Sequence, residues 1–195
     1  MSDAPTLYTI GHSNQTIEEF LALLAQRDIE ALVDVRSAPY SRYVPHFNKR
    51  ELQQAVQDAE RHYVYLGNEL GGRPDDPALL DDEGHARYDL IAKTDAFESG
   101  IARLKEGVAR YRVAAMCSEE DPTDCHRRLL VGRVMRRDGY QVLHIRGDGE
   151  IMDDAHLDPT NFQPGLFGLE PSEQDTWRST RSVLPRSRPS NSSDF

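Results

Sequence analysis

A chain of 195 residues, of which 38% are hydrophobic, is long enough to form one domain with its own core. It has two cysteines, no apolar amino-terminal run behind a basic segment and no stretch of about 18 apolar residues, so we expect a protein of the reducing cytoplasm with no membrane partner. The net charge of -10 argues against nonspecific nucleic-acid binding by the whole surface, because phosphates would be repelled over most of it.

The first part of the chain alternates apolar runs with helical patterns. Residues 7–10 and 31–36 are predicted strands, and the second is nearly continuous in apolar residues, which is typical of a parallel strand covered on both faces. A capping box at residues 16–19 predicts that a helix follows the first strand. After the second strand, Asn48 is predicted to cap another helix, with Glu51 at the capping-box position.

The same alternation continues to residue 146. Residues 62–66, 113–117 and 141–146 are predicted strands, and residues 96–110 carry apolar side chains at helical spacing. His144, inside the last apolar run, is predicted to be a core histidine with satisfied hydrogen bonds. This pattern predicts an α/β fold, a three-layer α/β/α domain with a mostly parallel sheet of about five strands.

We expect this single α/β domain to cover residues 5–158. From residue 159 the composition shifts to Ser, Pro, Arg and Thr without a period, so residues 159–195 are predicted to form a tail that is partly docked and then disordered.

The predicted site lies in residues 113–128, where an apolar run ends at Cys117, an acidic loop follows and a helical pattern starts at Cys125. Ligands collect outside the carboxyl ends of parallel strands, where helix N-termini also offer unpaired N–H groups. Positive charge is concentrated in the following helix, because residues 125–137 contain five arginines and no acid, and this supports an anion site. The alternative, that some of these arginines form the solvated face of a helix, stays open.

The two cysteines allow several kinds of chemistry. Cys125 is expected to favour its thiolate because it starts a helix beside Arg127, whereas Cys117 is expected to be buried and inert. A thiol phosphatase would need an arginine six residues after its cysteine, but Thr123 and Val131 occupy those positions. Residues 33–36 resemble a strand of the rhodanese sulfur-transfer fold, yet its active loop is not reproduced.

A zinc site could use Cys117, Cys125 and His126, but the seven-residue gap between the cysteines is unlike the usual paired spacings. The preferred interpretation therefore includes no metal and no cofactor. Glu119 is a candidate general acid or base, and the alternative is a loop carboxylate paired with Arg127.

Four blocks of sequence resemble one family. They are residues 9–13, residues 33–39 with 41–42 and 47–48, residues 66–73, and residues 117–119 with 125–127. These blocks are similar to those of the family catalogued as domain of unknown function 488, and the resemblance extends over about residues 7–150. It implies a compact α/β domain whose block residues share one cleft, and it implies no particular reaction.

We therefore expect an enzyme that acts on a phosphate-bearing small molecule, a nucleotide or a nucleic-acid end in an arginine-rich cleft. The alternatives are a non-catalytic nucleotide or nucleic-acid recognition module and a metal-binding protein. The candidate catalytic residues are Glu119, Cys125 and His126. The candidate ligand-binding residues are Ser13, Asp34, Arg36, Arg42, Asn48, Arg73, Cys117 and Arg127, and Asp34, inside a strand, is expected to pair with Arg36 or Arg42.

Overall fold

The computed structural model describes residues 4–157 and 177–184, and these contain a single six-stranded sheet. The strands are β1 (Thr6–Gly11), β2 (Ala31–Asp34), β3 (His62–Tyr65), β4 (Val113–Cys117), β5 (Gln141–Ile145) and β6 (Ile151–Asp153). Their order across the sheet is β3-β2-β4-β1-β5-β6. The first five strands are parallel, and β6 pairs antiparallel with β5 at the edge. The predicted mostly parallel sheet is confirmed, with one more strand.

Helices cover both faces of the sheet. They are α1 (Ile17–Gln26), α2 (Lys49–Asp58), α3 (Gly67–Leu70), α4 (Tyr88–Ile91), α5 (Asp95–Val108), a π-helix (Arg127–Gly132) and α6 (Arg133–Arg137). Helices α1 and α2 pack in one core cluster with Leu32 of β2, whereas α5, the π-helix and α6 pack in the other with the adjacent residue Val33. Successive strand residues point to opposite faces, so these two clusters are the two sides of a three-layer α/β/α domain.

Burial and capping in the elements around the site follow the sequence pattern. All five residues of β4 are buried, as expected for a central parallel strand. The predicted capping box of α1 is present, because the Glu19 amide donates to Thr16 Oγ1 at 3.2 Å and the Thr16 amide donates to Glu19 Oε2 at 2.9 Å.

Three local predictions differ from the structure. Strand β6 was not predicted, because its three half-buried residues are too short to show a period. Asn48 precedes α2 but does not cap it with its side chain, which instead accepts a hydrogen bond from the Ser41 amide at 2.6 Å. The helix expected from Cys125 begins at residue 126, and its first turns are a π-helix.

Of the predicted tail, residues 158–176 and 185–195 lie outside the described residues. Residues 177–184 pack against the domain. The Trp177 ring is buried and lies near two guanidinium groups, with its centroid 4.7 Å from Arg133 Cζ and 4.4 Å from Arg137 Cζ. Within the described residues, every helix is too short or too polar to cross a bilayer.

A buried charge cluster joins β5 to the residues after β6. His144 is fully buried as predicted, with Nε2 3.0 Å from Asp154 Oδ1 and Nδ1 2.7 Å from Thr9 Oγ1. The Asp154 carboxylate also accepts from Arg128 Nε at 2.6 Å and Arg136 Nη1 at 2.7 Å. Burial opposes the charge of Asp154, but these donors outweigh it and lower the pKa of the carboxyl group.

We expect Asp154→Asn to lower the free energy of unfolding by about 3 kcal/mol, because it leaves the guanidinium groups of Arg128 and Arg136 without their buried counter-charge. Denaturant unfolding at neutral pH measures this change. The matched control is Asp153→Asn, at a half-buried position, which should change stability by less than about 1 kcal/mol. Equal losses for the two variants would contradict the role of Asp154.

Candidate functional site

The ends of β1 and β4 lie side by side at the carboxyl edge of the sheet. The His12 amide donates to the Cys117 carbonyl at 3.1 Å, and the Ser13 amide donates to the Ser118 carbonyl at 2.8 Å. Gly11 makes this close approach possible, because a Cβ atom there would collide with the backbone at Glu119. The two loops that the sequence placed in the site are therefore in direct contact.

Two cysteines and one histidine meet where β4 ends. His126 Nδ1 lies 3.6 Å from Cys117 Sγ and 3.9 Å from Cys125 Sγ. The three atoms all lie within 4.8 Å of one another. Both thiols are free and buried. We call these three residues the Cys-Cys-His cluster.

The His126 ring is fixed so that Nδ1 faces the sulfur atoms. Its Nε2 atom lies 2.9 Å from the Val35 carbonyl oxygen, which can only accept, so Nε2 carries the hydrogen. Gly72 packs flat against the ring, and a Cβ atom there would lie 2.6 Å from His126 Cβ. With its hydrogen on Nε2, the neutral ring presents the Nδ1 lone pair to both thiols.

The two thiols differ in acidity. The hydrogen bond from Cys125 lowers the pKa of Cys117 against the effect of burial, helped by Arg127 and by the backbone N–H groups of Glu119 and Ser118. Burial raises the pKa of Cys125, and the neighbouring Cys117 raises it further. The expectation that the helix start favours a Cys125 thiolate is therefore wrong, because Cys125 precedes the helix and is enclosed by the fold.

Burial lowers the pKa of His126, but its contact with Cys125 and the hydrogen bond to the Val35 carbonyl outweigh burial, and the net pKa is raised.

A second buried network lies at the end of β2. Asp34 pairs with Arg36, as one of the two predicted options, through Nη2–Oδ2 and Nε–Oδ1 contacts of 2.7 and 2.9 Å. The Tyr63 hydroxyl donates to the same carboxylate at 2.8 Å. Asp34 is fully buried and its charge is balanced by the guanidinium group, so this pair orders the start of the following loop.

His12 extends this network towards β1. Arg36 Nη1 donates to His12 Nε2 at 3.1 Å, and His12 Nδ1 donates to the Ser13 carbonyl at 2.8 Å. The ring stacks on Phe47 with a centroid distance of 4.2 Å. Burial and then the charge of Arg36 lower the pKa of His12 to about 4, although Asp34 opposes the shift. His12 is therefore neutral at neutral pH.

Arg127 lies inside the protein and is fully buried. Its Nη1 and Nη2 groups donate to the Glu119 and Glu120 carbonyls, the second at 2.6 Å, and Nε donates to Thr9 Oγ1 at 3.3 Å. Each of its three nitrogen atoms thus donates a hydrogen bond within the chain, and the group is held away from solvent.

The other arginines of the 125–137 run also contact the chain. Arg128 and Arg136 bind Asp154, and Arg133 and Arg137 stack on Trp177. Four of the five arginines therefore contact other side chains of the domain or of residues 177–184, and Arg137 is also exposed.

Other predicted site residues lie around the Cys-Cys-His cluster or on neighbouring loops. Glu119 is exposed, and its carboxylate forms no hydrogen bond or ion pair with the described residues. Ser13 is half-buried with a left-handed φ of 48°, and Arg73 is exposed directly after the paired glycines. Arg42 is exposed beside Tyr43, and Asn48 supports the loop at Ser41.

Tyr88 belongs to the site but was not predicted from the sequence. It is buried in α4, and burial followed by the negative charge of Cys125 and Cys117 raises the pKa of its phenol. No local motif marks this position. Only the fold, which buries α4 in the same core cluster as β4, brings the phenol within electrostatic reach of the cysteines.

Comparison with known proteins identifies the family. The profile of the family described as Domain of unknown function DUF488 matches residues 16–134, which is more than half of the chain. The chain belongs to this family, as the resemblance of its sequence blocks predicted. No curated protein and no solved structure matches the chain.

We expect the protein to become less stable as the pH is lowered, because of His12. The pKa of His12 is about 4 in the folded state and about 6.5 in the unfolded state. Its full contribution to the free energy of unfolding is therefore present above pH 6.5 and is lost as the pH falls towards 4. Between pH 7.5 and 5 this amounts to about 2 kcal/mol of the free energy of unfolding, measurable by denaturant titration at each pH.

The control is His12→Gln, which removes the titrating group and keeps a polar side chain. Between pH 7.5 and 5 this variant should lose about 2 kcal/mol less of its free energy of unfolding than the wild type loses. Parallel pH curves for the variant and the wild type would show that His12 is not the group responsible.

Proposed function

We propose that this member of the DUF488 family is a metal-dependent enzyme whose metal ion is held by Cys117, Cys125 and His126. The observation that carries the proposal is the convergence of the three ligand atoms. In a tetrahedral zinc site, bond lengths of about 2.3 Å to sulfur and about 2.05 Å to nitrogen put sulfur and nitrogen ligands about 3.6 Å apart. The two separations from Nδ1 in this chain are 3.6 and 3.9 Å.

The surroundings of the cluster support a metal ion. The Val35 carbonyl holds the proton of His126 on Nε2, which is the support that metal-bound histidines usually have. Thiolate and imidazole ligands together are typical of zinc. This proposal departs from the sequence-based preference for no metal, which relied on the chain spacing of the cysteines.

Three ligands are the number found in catalytic zinc sites, which keep a fourth position for water or substrate. In the part of the chain that the structure describes, no other His, Cys, Asp or Glu ligand atom belongs to the cluster. A metal ion there would lower the pKa of a bound water and so supply a nucleophile for hydrolysis. Glu119 follows the end of β4 by two residues and has an exposed, unpaired carboxylate, and we propose that it accepts the proton of such a water.

The proposed substrate class rests on the arginine that stays exposed at the carboxyl edge of the sheet. Arg36 and Arg127 are engaged inside the protein, whereas Arg73 is exposed directly after Gly72, which packs on His126. A guanidinium group at this position suits a phosphate. We therefore propose hydrolysis of a phosphate-bearing small molecule or nucleotide.

We expect the purified protein to bind about one Zn²⁺ per chain, measured by elemental analysis after reconstitution and dialysis. Cobalt substitution should give the absorption of thiolate-to-cobalt charge transfer. The variants Cys117→Ser, Cys125→Ser and His126→Gln should each lose the metal, because each removes one of three ligands.

The matched control is His62→Gln, which changes an exposed histidine on β3 and should keep full occupancy. Circular dichroism of every variant separates loss of the metal from loss of the fold. Metal occupancy that is absent in the wild type, or unchanged in all three ligand variants, would overturn the proposal.

Activity is tested with a panel of phosphomonoesters, phosphodiesters and nucleotides. We expect turnover of at least one compound by the metal-loaded protein, and Glu119→Gln should lower kcat about 10²- to 10⁴-fold while leaving the metal content unchanged. The control Glu18→Gln, on the exposed side of α1, should keep the wild-type kcat. Equal turnover before and after removal of the metal by a chelator would contradict a metal-dependent reaction.

A further inference from the structure

The loop between β2 and α2 carries two exposed tyrosines. We call residues 37–48 the aromatic loop. Tyr40 is 76% exposed and Tyr43 is 79% exposed, and these are the largest values among the large hydrophobic side chains of the described residues. Tyrosine is enriched at interaction surfaces, because its ring packs against a partner while its hydroxyl keeps a hydrogen bond, so this exposed pair marks a candidate surface.

The exposure of the tyrosines is built into the loop. Its base is anchored by Phe47, which is fully buried and stacks on His12. The Ser41 amide donates to Asn48 Oδ1 at 2.6 Å, and Ser41 Oγ accepts from the Tyr43 amide at 3.1 Å. The backbone is therefore held in one shape, with both phenol rings on its outer side.

The loop carries positive charge, and one cation lies on the Tyr43 ring. Residues 35–50 contain four Arg and Lys residues and no acid, in a chain whose net charge is -10. Arg36 is buried, but Arg42, Lys49 and Arg50 are exposed. The Arg42 guanidinium group lies 4.9 Å from the centroid of the Tyr43 ring, and its Nη2 donates to the Tyr43 hydroxyl at 2.9 Å.

We infer that the aromatic loop binds single-stranded nucleic acid. Bases stack on the rings of Tyr40 and Tyr43, and the phosphates contact Arg42 and the cations at the start of α2. A single strand fits better than a duplex, because a duplex keeps the faces of its bases inside the stack. The acidic remainder of the surface repels phosphates and so restricts binding to this loop.

The inference does not rest on the proposed metal site, because none of the three ligands lies in the aromatic loop. The two are nevertheless adjacent in the chain. The loop starts two residues after Val35, whose carbonyl accepts the hydrogen bond from His126. A strand bound on the loop is thus held at the carboxyl edge of the sheet, where the Cys-Cys-His cluster lies.

The test is fluorescence anisotropy with fluorescein-labelled 12-nucleotide oligothymidylate and oligouridylate and a 12-base-pair duplex, at 50 and 200 mM salt. We expect the single strands to bind and the affinity to fall with salt. The double variant Tyr40→Ala/Tyr43→Ala should weaken binding at least about 10-fold, whereas Tyr40→Phe/Tyr43→Phe should stay within about threefold of the wild type. Arg42→Ala should reduce the salt slope by about 0.7, as expected for one lost phosphate contact.

The matched control is Tyr111→Ala, which removes another exposed tyrosine and should not change the affinity. The inference is overturned if the wild type binds neither single strand at 50 mM salt, if the duplex binds as tightly as the single strands, or if Tyr111→Ala weakens binding as much as the double variant. Oligonucleotide binding is measured without added metal and metal content without oligonucleotide, so a failed metal site and a failed aromatic loop give different results.

Discussion

The interior of this protein depends on one buried cation, the guanidinium group of Arg127. A positive charge with no solvent contact is stable only if its N–H groups are bonded, and here they reach Thr9 on β1 and the carbonyls of Glu119 and Glu120 after β4. The Thr9 hydroxyl accepts from Arg127 and donates to His144, whose other nitrogen donates to Asp154. This chain of hydrogen bonds joins β1, β4 and β5 through buried groups and brings a carboxylate into the same network as the guanidinium group.

Arg127 also determines the shape of the candidate site. By binding two successive carbonyls it turns the backbone after Cys117, and the backbone N–H groups of Ser118 and Glu119 are left facing the sulfur atom. His126 precedes Arg127 and extends across to β2, where it bonds to Val35. The cluster of two thiols and one imidazole thus follows from the anchoring of a neighbouring residue that does not itself face the site.

The end of β2 connects the remaining features. Val35 orients His126, Arg36 adds to burial in keeping His12 neutral, and the aromatic loop begins immediately afterwards. A change in this short segment would reach the Cys-Cys-His cluster and the aromatic loop together. The proposed metal chemistry and the proposed binding of single strands would therefore share one structural support, although they use different side chains.

The sequence by itself determined the α/β class, the three layers and the edge of the sheet at which the candidate residues collect. These features depend on local patterns, namely the period of apolar residues, the capping box at Thr16 and the position of polar residues directly after strands. Only the tertiary structure decided the direction and burial of single side chains. Arg127 bonds to Thr9, and His126 bonds to Val35 across 91 residues of chain, so neither contact leaves a trace in local spacing. For the same reason, the spacing of Cys117 and Cys125 argued against a metal site, although the fold brings their sulfur atoms to one imidazole nitrogen.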